Sequence, residues 1–167
     1  LENRIDFVLN TEGSRGAKDK EYSGTNPGKK EKGEREMSRL YEAVMGLVVA
    51  DALGVPVEFA LRDSYLVTEM TGYGTYRQLL GTWSDDSSMT LATLESFKRK
   101  GCVDPADIMQ NFFLWLFEKR FTARDDVFDV GNACRKAIWT YGQGVAPQNC
   151  GGTGERDNGN GALMRML

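Results

Sequence analysis

Apolar residues at helical spacing, closed by strong helix-stop signals, are the feature that most limits what this chain can fold into. The first set follows the candidate N-cap Ser38 at positions i, i+4, i+7 and i+8, and comprises Leu40, Val44, Leu47 and Val48. Gly54 and Pro56 come directly after this set. We therefore predict a helix that ends at Gly54 with a left-handed cap, since proline cannot continue it.

The rest of the chain repeats this pattern. We predict a long loop with short turns over residues 60–80. Three further helices are predicted over 86–100, 104–120 and 125–141, and a fifth begins near Asn160. Gly101 and Gly142 supply stop signals, and Asp104-Pro105 supplies an N-cap followed by a proline at the first helical position. No stretch alternates at period two, so the predicted fold class is all-α.

Residues 1–36 differ from the remainder of the chain. Positions 11–36 contain no Leu, Ile, Val, Phe or Trp and are rich in Lys, Glu, Gly, Ser and Asn. Because such a segment buries too little apolar surface to offset its ordering entropy, we predict a disordered tail or linker over 1–36 and a folded unit over 37–167. Its lysines are interleaved with glutamates, which leaves a nucleic-acid-binding tail as a weak alternative.

Composition excludes several classes of protein. The net charge of −3 over 167 residues gives no reason to expect nucleic acid as a partner. Three cysteines without CxxC spacing argue against a disulfide framework or a zinc site and fit a reducing cytoplasm. No apolar run reaches membrane-spanning length, so no membrane partner is predicted. The chain has no histidine, so carboxylates must do any acid–base or metal chemistry near neutral pH.

The segment Ser84-Asp85-Asp86-Ser87-Ser88 concentrates hard oxygen donors directly before an apolar helical pattern. Asp and Ser at a helix N-terminus commonly cap free backbone amides, and one acid satisfies that need. Two adjacent carboxylates flanked by hydroxyls exceed it. Carboxylate and hydroxyl oxygens are the ligands that Mg²⁺ and Mn²⁺ prefer, so we favour a metal site at Ser84, Asp85 and Asp86.

Two further acids stand out. Asp51 interrupts the apolar run near the C-terminal end of its helix, where a negative charge faces the negative end of the helix dipole. Such an acid needs compensation, either from backbone amides of the nearby turn or from a role in a site, and both readings stay open. Glu58, beyond Pro56, can face the same way as Asp51.

The stretch 150–161 is rich in glycine and leads into the predicted fifth helix. Glycines let backbone amides approach a ligand closely, and a helix N-terminus favours an anion such as phosphate. Asp157, Asn160 and Arg165 add an acceptor, an amide and a cation there. The alternative is a flexible surface loop, the commonest fate of glycine-rich sequence.

Three motifs, in order, resemble the ADP-ribosylglycohydrolase family. GLVVADALGVPVEF at 46–59 is similar to the family pattern G-x-x-x-G-D-A-L-G-x-P-x-E-F, and GTWSDDSSM at 81–89 to G-x-W/F-S/T-D-D-S/T-x-M. DNGNGALMR at 157–165 is similar to G-N-G-x-x-M-R with a preceding acid. Ala50 replaces the usual Gly before Asp51. The family's D-x-D-S/T motif, which supplies further metal ligands, is not found in the sequence.

The resemblance implies an all-α domain with two Mg²⁺ or Mn²⁺ ions, hydrolysis of the bond to C1″ of ADP-ribose, and an ADP-ribose-containing substrate. It assigns metal ligation to Ser84, Asp85 and Asp86, and catalysis to Glu58 and the candidate base Asp157. It assigns ADP-ribose binding to Gly159, Asn160 and Gly161, and we add Asp51 and Arg165 as candidate substrate-binding residues from their place in the sequence. Because only the N-terminal half of the family domain is matched, we also expect exposed core surface and weigh a catalytically inactive fragment or pseudoenzyme that binds nucleotide or a partner.

Overall fold

The computed structural model describes residues 27–157, 159, 161 and 164, with side chains from residue 39 onward. Four α-helices and three single-turn 3₁₀-helices make up this part of the chain. The α-helices are α1 (Pro27–Gly54), α2 (Asp85–Lys100), α3 (Pro105–Glu118) and α4 (Asn132–Gly142), and the 3₁₀-helices are Val55–Val57, Gly74–Tyr76 and Pro147–Asn149. The extended pairing in the described part is one isolated bridge between Tyr73 and Gln78. The all-α prediction is confirmed.

Helix α1 differs from the prediction at both ends. It begins at Pro27 rather than after Ser38, because proline fits the first helical turn and the Lys/Glu-rich segment 29–36 has high helix propensity. The prediction of disorder does not match residues 27–36, and its remaining part, 1–26, lies outside the described residues. At the other end Gly54 is right-handed, with φ of −75°, and leads directly into Val55–Val57. The predicted left-handed cap is therefore wrong.

The ends of α2 and α3 follow local sequence signals as predicted. Gly101 closes α2 with φ of +68°, and its N–H donates to the Phe97 carbonyl at 2.8 Å. The Asp104 carboxylate caps α3 by accepting from the amides of Ala106 and Asp107 at 3.1 and 3.2 Å. Both devices satisfy backbone groups that a helix end leaves free.

Helix α4 begins at Asn132, seven residues later than predicted. Asp125 and Asp129 adopt φ of +55° and +54°, a left-handed conformation that an α-helix cannot contain. The segment before α4 is therefore an irregular connection, and it carries Asp129 towards α2. The predicted fifth helix near Asn160 lies outside the described residues.

Helix α2 lies between two apolar clusters. On one side Leu91 packs with Trp83 and with Val44 and Val48 of α1. On the other side Met89 and Ala92 pack against α3 and α4 through a cluster completed by Phe112, Trp115 and Ile138. The N-terminus of α2 is thereby fixed between its neighbours, and this is where the candidate site forms.

Candidate functional site

Asp51 holds the N-terminus of α2 from the neighbouring helix α1. Its carboxylate accepts from the backbone amides of Ser84 and Ser87, each at 3.0 Å. It also accepts from the hydroxyls of Ser84 at 2.8 Å and Ser87 at 2.6 Å. Ser84 occupies the N-cap position but makes no side-chain cap bond of its own. Asp51 therefore does bind backbone amides, but those of a distant helix rather than of its own turn.

This arrangement aims Asp85 and Asp86 of the first turn of α2 at a common space. The Asp85 side chain is buried, with 7% of its surface exposed, and Asp86 is half-buried. Carboxylates at a helix N-terminus are favoured by the helix dipole. That contribution does not neutralise two adjacent charges that have been removed from water.

Glu58 and Asp129 complete the acidic cluster from two other segments. Glu58 is held by its backbone, whose carbonyl accepts from the Thr75 hydroxyl at 2.6 Å. The turn behind it requires Gly74, because a Cβ there would lie 1.9 Å from the Pro56 carbonyl oxygen. Asp129 shares a hydrogen bond with Glu58 and accepts another from the Tyr76 hydroxyl. A chain of polar contacts thus runs from Tyr76 through Asp129 to Glu58.

These acids raise one another's pKa values. Burial, then the hydrogen bond and charge of Asp129, raise the pKa of Glu58 to about 8. Burial, then the charges of Asp129 and Asp86, raise the pKa of Asp85 to about 7. Burial and the charges of Asp51 and Asp129 also raise the pKa of Asp86 above its usual range. The cluster therefore has more negative charge than its surroundings neutralise, and a cation would stabilise its ionised form.

The donor chemistry of this cluster fits a hard divalent cation, since the carboxyl groups of Glu58, Asp85 and Asp86 line a common cavity. Within the part of the chain that the structure describes, no three Asp, Glu, Cys or His side chains converge closely enough to hold a metal ion. Ser84, Asp85 and Asp86 can supply part of a coordination shell. The Mg²⁺ or Mn²⁺ site stays a prediction.

A cavity of about 650 Å³ joins the acidic cluster to the glycine-rich loop. Its volume lies in the range of small-molecule sites. The acids Glu58, Asp85, Asp86 and Asp129 line one part of the cavity, and Gly131 and Asn132 at the start of α4 line another. The remaining lining residues are the cations Lys136 and Arg156 and the loop residues Asp157, Gly159 and Gly161. Negative and positive groups therefore share one cavity, as a substrate with both a sugar and phosphates would require.

The loop residues predicted for the site are only partly described. Asp157 lines the cavity, accepts from the Gly154 amide at 2.9 Å and lies 3.7 Å from the Lys136 ammonium. A Cβ at Gly161 would lie 2.6 Å from the Cys134 sulfur, so the loop approaches α4 at a distance that suits glycine. Gly159 also lines the cavity, whereas Asn160 and Arg165 lie outside the described residues.

Sequence reasoning missed Asp129 and Tyr76. The sequence prediction assigned Asp129 to a helix, and Tyr76 lies in a segment read only as loop. The one available signal was the run of acids at Asp125, Asp126 and Asp129 directly before Gly131, which is unfavourable for a helix interior but suits a turn. The contact between Tyr76 and Asp129 spans 53 residues, so no local pattern could have indicated it.

Comparisons with known proteins identify the family. The family model for ADP-ribosylglycohydrolase matches residues 32–167. The chain is 39% identical over 137 residues to the ADP-ribosyl-(dinitrogen reductase) glycohydrolase of Rhodospirillum rubrum, covering 77% of this chain and 42% of that protein. It is 32% identical over 136 residues to the ADP-ribosylarginine hydrolase Tri1 of Pseudomonas putida, covering 80% of this chain and 36% of the relative.

A solved structure agrees with these matches. The chain aligns with a protein titled "ADP-ribosylglycohydrolase-related protein complex" at a TM-score of 0.58 and 35% identity, covering 74% of this chain and 38% of that one. The chain spans about two fifths of the length of the relatives it matches. Because the family model matches most of its length, the chain belongs to the ADP-ribosylglycohydrolase family.

Proposed function

We propose that the protein containing this chain hydrolyses the glycosidic bond between ADP-ribose and an acceptor, with ADP-ribosylarginine as the first substrate to test. The observation that carries the proposal is the cavity in which Glu58, Asp85, Asp86 and Asp129 lie together beside the glycine-rich loop. The names of the relatives support the reaction class, and one of them supports arginine as the acceptor. A cytoplasmic location, inferred from the cysteine pattern, belongs to the same proposal.

Glu58 and Asp129 act as an acid and its charged partner. With a pKa raised to about 8, Glu58 keeps its proton at neutral pH and can donate it from its carboxyl oxygen to the departing acceptor nitrogen. The Tyr76 hydroxyl orients Asp129 by donating to it. The negative charge of the pair then lies beside the sugar, where it stabilises the oxocarbenium-like state of glycoside hydrolysis.

Ser84, Asp85 and Asp86 would hold a divalent cation, Mg²⁺ or Mn²⁺. When bound, such an ion supplies Lewis-acid polarisation of sugar hydroxyls and of the attacking water. Asp51 acts behind this set by fixing Ser84 and Ser87 through four donors, and so orients the ligands without needing to touch substrate. Orientation of this kind commonly changes metal affinity or activity about 10- to 100-fold.

The remainder of the cavity suits the phosphates of ADP-ribose. Among the described residues, the first turn of α4 has neither a side-chain cap nor an acid, and it lines the cavity beside Lys136 and Arg156, where a helix N-terminus favours an anion. Gly159 and Gly161 of the loop line the same cavity. Asn160 and Arg165 are proposed to contact the same ligand, and Asp157 remains a candidate base.

The test is release of free ADP-ribose from an ADP-ribosylarginine peptide by the complete protein. We expect turnover that is lost with a chelator and restored by Mg²⁺ or Mn²⁺. Asp85→Asn should lower turnover by about 100-fold or more, by analogy with the loss of one preorganised electrostatic group. Asp63→Asn removes an exposed aspartate outside the cavity and is the matched control, with turnover unchanged.

A second candidate function, a non-catalytic nucleotide-binding protein, follows from the incomplete set of metal-binding acids in the described residues. It predicts that the complete protein binds ADP-ribose without releasing it from any peptide. Turnover that depends on Asp85 would exclude this alternative, whereas binding without turnover at any metal concentration would exclude the hydrolase.

A further inference from the structure

Phe59 is an exposed aromatic residue that follows Glu58 directly and has a strained backbone. Its φ is +59°, in the left-handed region that bulky side chains rarely adopt. The side chain is 79% exposed, so burial of the ring does not offset this strain. The ring makes an edge contact with Tyr76, with 6.3 Å between the ring centroids. Strained residues of this kind cluster at active sites and at residues that clamp ligands.

Phe59 lies where two cavities meet. The cavity of about 650 Å³ described above is on one side, and a second cavity of about 590 Å³ runs along α1 on the other. Glu58, Phe59 and Asp86 line both cavities. The described residues that line the second cavity but not the first are Leu47, Ala50, Asp51, Gly54, Val55, Val57 and Tyr65. Glu58 therefore stands between two spaces.

The two cavities differ in charge. The first contains Lys136 and Arg156, which suit phosphates. The second has no Lys or Arg among its described lining residues, and it combines an apolar wall with the carboxylates of Asp51, Glu58 and Asp86. A space of this composition is complementary to a cation on an apolar stem. An arginine side chain has this form, with a chain of methylene groups that ends in a planar guanidinium.

A lipid bilayer fits the second cavity less well. By length and composition Arg39–Val57 could cross a membrane, with a mean hydropathy of 1.6 over an 18-residue window, which corrects the prediction that no run reaches that length. An average over the stretch tolerates its isolated charges. However, Asp51 lies within this stretch and is tied to α2, and Asp86 opens into the cavity. Inserting α1 would carry these carboxylates into hydrocarbon, which is costly.

We propose that the second cavity receives the arginine side chain of an ADP-ribosylated protein, and that the Phe59 ring is the platform on which its guanidinium stacks. This inference rests on the proposed function, because Glu58 can protonate the departing nitrogen only if the acceptor lies beside it. With the phosphates near Lys136 and Arg156, the acceptor projects to the other side of Glu58. A guanidinium over an aromatic face is attracted by the quadrupole of the ring.

The adenine base is a less suitable partner for the Phe59 ring. In ADP-ribose the base and the C1″ atom lie at opposite ends, with the pyrophosphate between them. Glu58 has to lie at C1″ to act as the acid, and Phe59 is the next residue of the chain. The group beside the ring is therefore the acceptor, and Tyr65 supplies a second aromatic side chain on the acceptor side.

The experiment measures steady-state kinetics of the complete protein on an ADP-ribosylarginine peptide, with N-acetylarginine amide and ADP-ribose as product inhibitors. Phe59→Leu keeps an apolar side chain but removes the aromatic face. We expect the KM of the peptide and the inhibition constant of N-acetylarginine amide to rise by about 5- to 30-fold, the range of a cation–π interaction. The kcat and the inhibition constant of ADP-ribose should change little.

Two variants serve as controls. Phe59→Tyr retains an aromatic face and should keep both constants near those of the wild type. Leu61→Ala removes an apolar side chain that is 81% exposed and lines neither cavity, and its kinetics should match the wild type.

Phe59→Gly separates binding from folding. Glycine adopts a φ of +59° without strain, and the exposed ring contributes little packing. This variant should therefore melt at a higher temperature than the wild type, while its KM rises as in Phe59→Leu. A residue that serves only the fold would give a lower melting temperature and an unchanged KM.

Three results would overturn the proposal. A wild-type KM in Phe59→Leu with turnover intact would remove Phe59 from the acceptor site and leave the proposed function standing. An equal rise in the inhibition constant of ADP-ribose would assign the ring to the nucleotide. Absence of turnover by the wild type would refute the proposed function itself, and this inference with it.

Discussion

Helices α1 and α2 reverse the usual relation between composition and burial. Nine of the 16 residues of α2 are buried, and six of those nine are polar. In the equally long described stretch of α1, residues 39–54, three residues are buried although the sequence is mostly apolar. Burial here depends on what packs around each helix rather than on the polarity of its side chains. Helix α2 is enclosed by its neighbours, whereas α1 is covered on one face.

Several of the buried polar groups of α2 are stabilised by pairing, whereas the Thr90 hydroxyl has no hydrogen-bond partner in the described part of the chain. The Ser88 hydroxyl donates to the Ser84 carbonyl at 2.7 Å, and the Thr93 hydroxyl donates to the Met89 carbonyl at 2.9 Å. Asp51 satisfies the hydroxyls and amides at the N-terminus. Pairing of this kind makes the start of α2 a rigid support for the acids of its first turn. Helix α1 supplies that support through Asp51 on one face, while its other face is exposed.

The largest expected effect comes from breaking the link between the two helices. Asp51→Ala leaves two amides and two hydroxyls at the start of α2 without their acceptor, and we expect a loss of about 3 kcal/mol in unfolding free energy. Asp104→Ala is the matched control, because Asp104 caps α3 through local contacts, and it should cost markedly less stability. Urea unfolding measures both, and equal losses would show that Asp51 is an ordinary cap.

Adjacent valines on the two faces of α1 give the next largest effect. Val48 is fully buried and Val49 is 41% exposed. Val48→Ala should lower the unfolding free energy by about 2 kcal/mol, because it leaves a cavity against Trp83 and Leu91. Val49→Ala should change it by less than about 0.5 kcal/mol. Similar losses in the two variants would mean that the exposed face is already packed in solution.

A further expected effect is a dependence of stability on pH that originates at the acids around the N-terminus of α2. The pKa of Glu58 rises from 4.5 to about 8 on folding, and that of Asp85 from 3.8 to about 7. The folded state therefore binds more protons than the unfolded state between these values, and stability falls as pH rises through the window. Thermal unfolding at about pH 5 and about pH 8 should show the lower melting temperature at the higher pH.

Mg²⁺ provides the control for this prediction. A cation at the acidic cluster offsets the repulsion between carboxylates, so saturating Mg²⁺ should reduce the loss of stability at the higher pH. The double variant Glu58→Gln, Asp85→Asn should reduce it as well. A melting temperature that rises across the window would contradict the account of the cluster.

Local signals made part of this structure predictable. Gly101 and Asp104 act on backbone groups within four residues, so the ends of α2 and α3 could be read from the sequence, as could the run Ser84–Ser88 at a helix start. The hydrogen-bond partner of Asp51 could not be read from the sequence, because Ser84 lies 33 residues away. An aspartate within an apolar stretch was compatible both with binding backbone amides of its own turn and with a role in a site. Asp129 was hidden for the same reason, because its left-handed backbone and its contacts with Glu58 and Tyr76 depend on tertiary packing.

We propose above that the complete protein hydrolyses an ADP-ribosyl bond with the carboxyl groups around the N-terminus of α2. Turnover by the Glu58→Gln variant of the complete protein tests this proposal most directly. Glutamine keeps the shape of the side chain but cannot donate a carboxyl proton, so turnover of an ADP-ribosylarginine peptide should fall by about 10²- to 10⁴-fold. Calorimetry should show ADP-ribose affinity little changed, and the exposed control Glu69→Gln should behave as wild type. Wild-type turnover by Glu58→Gln would contradict the account.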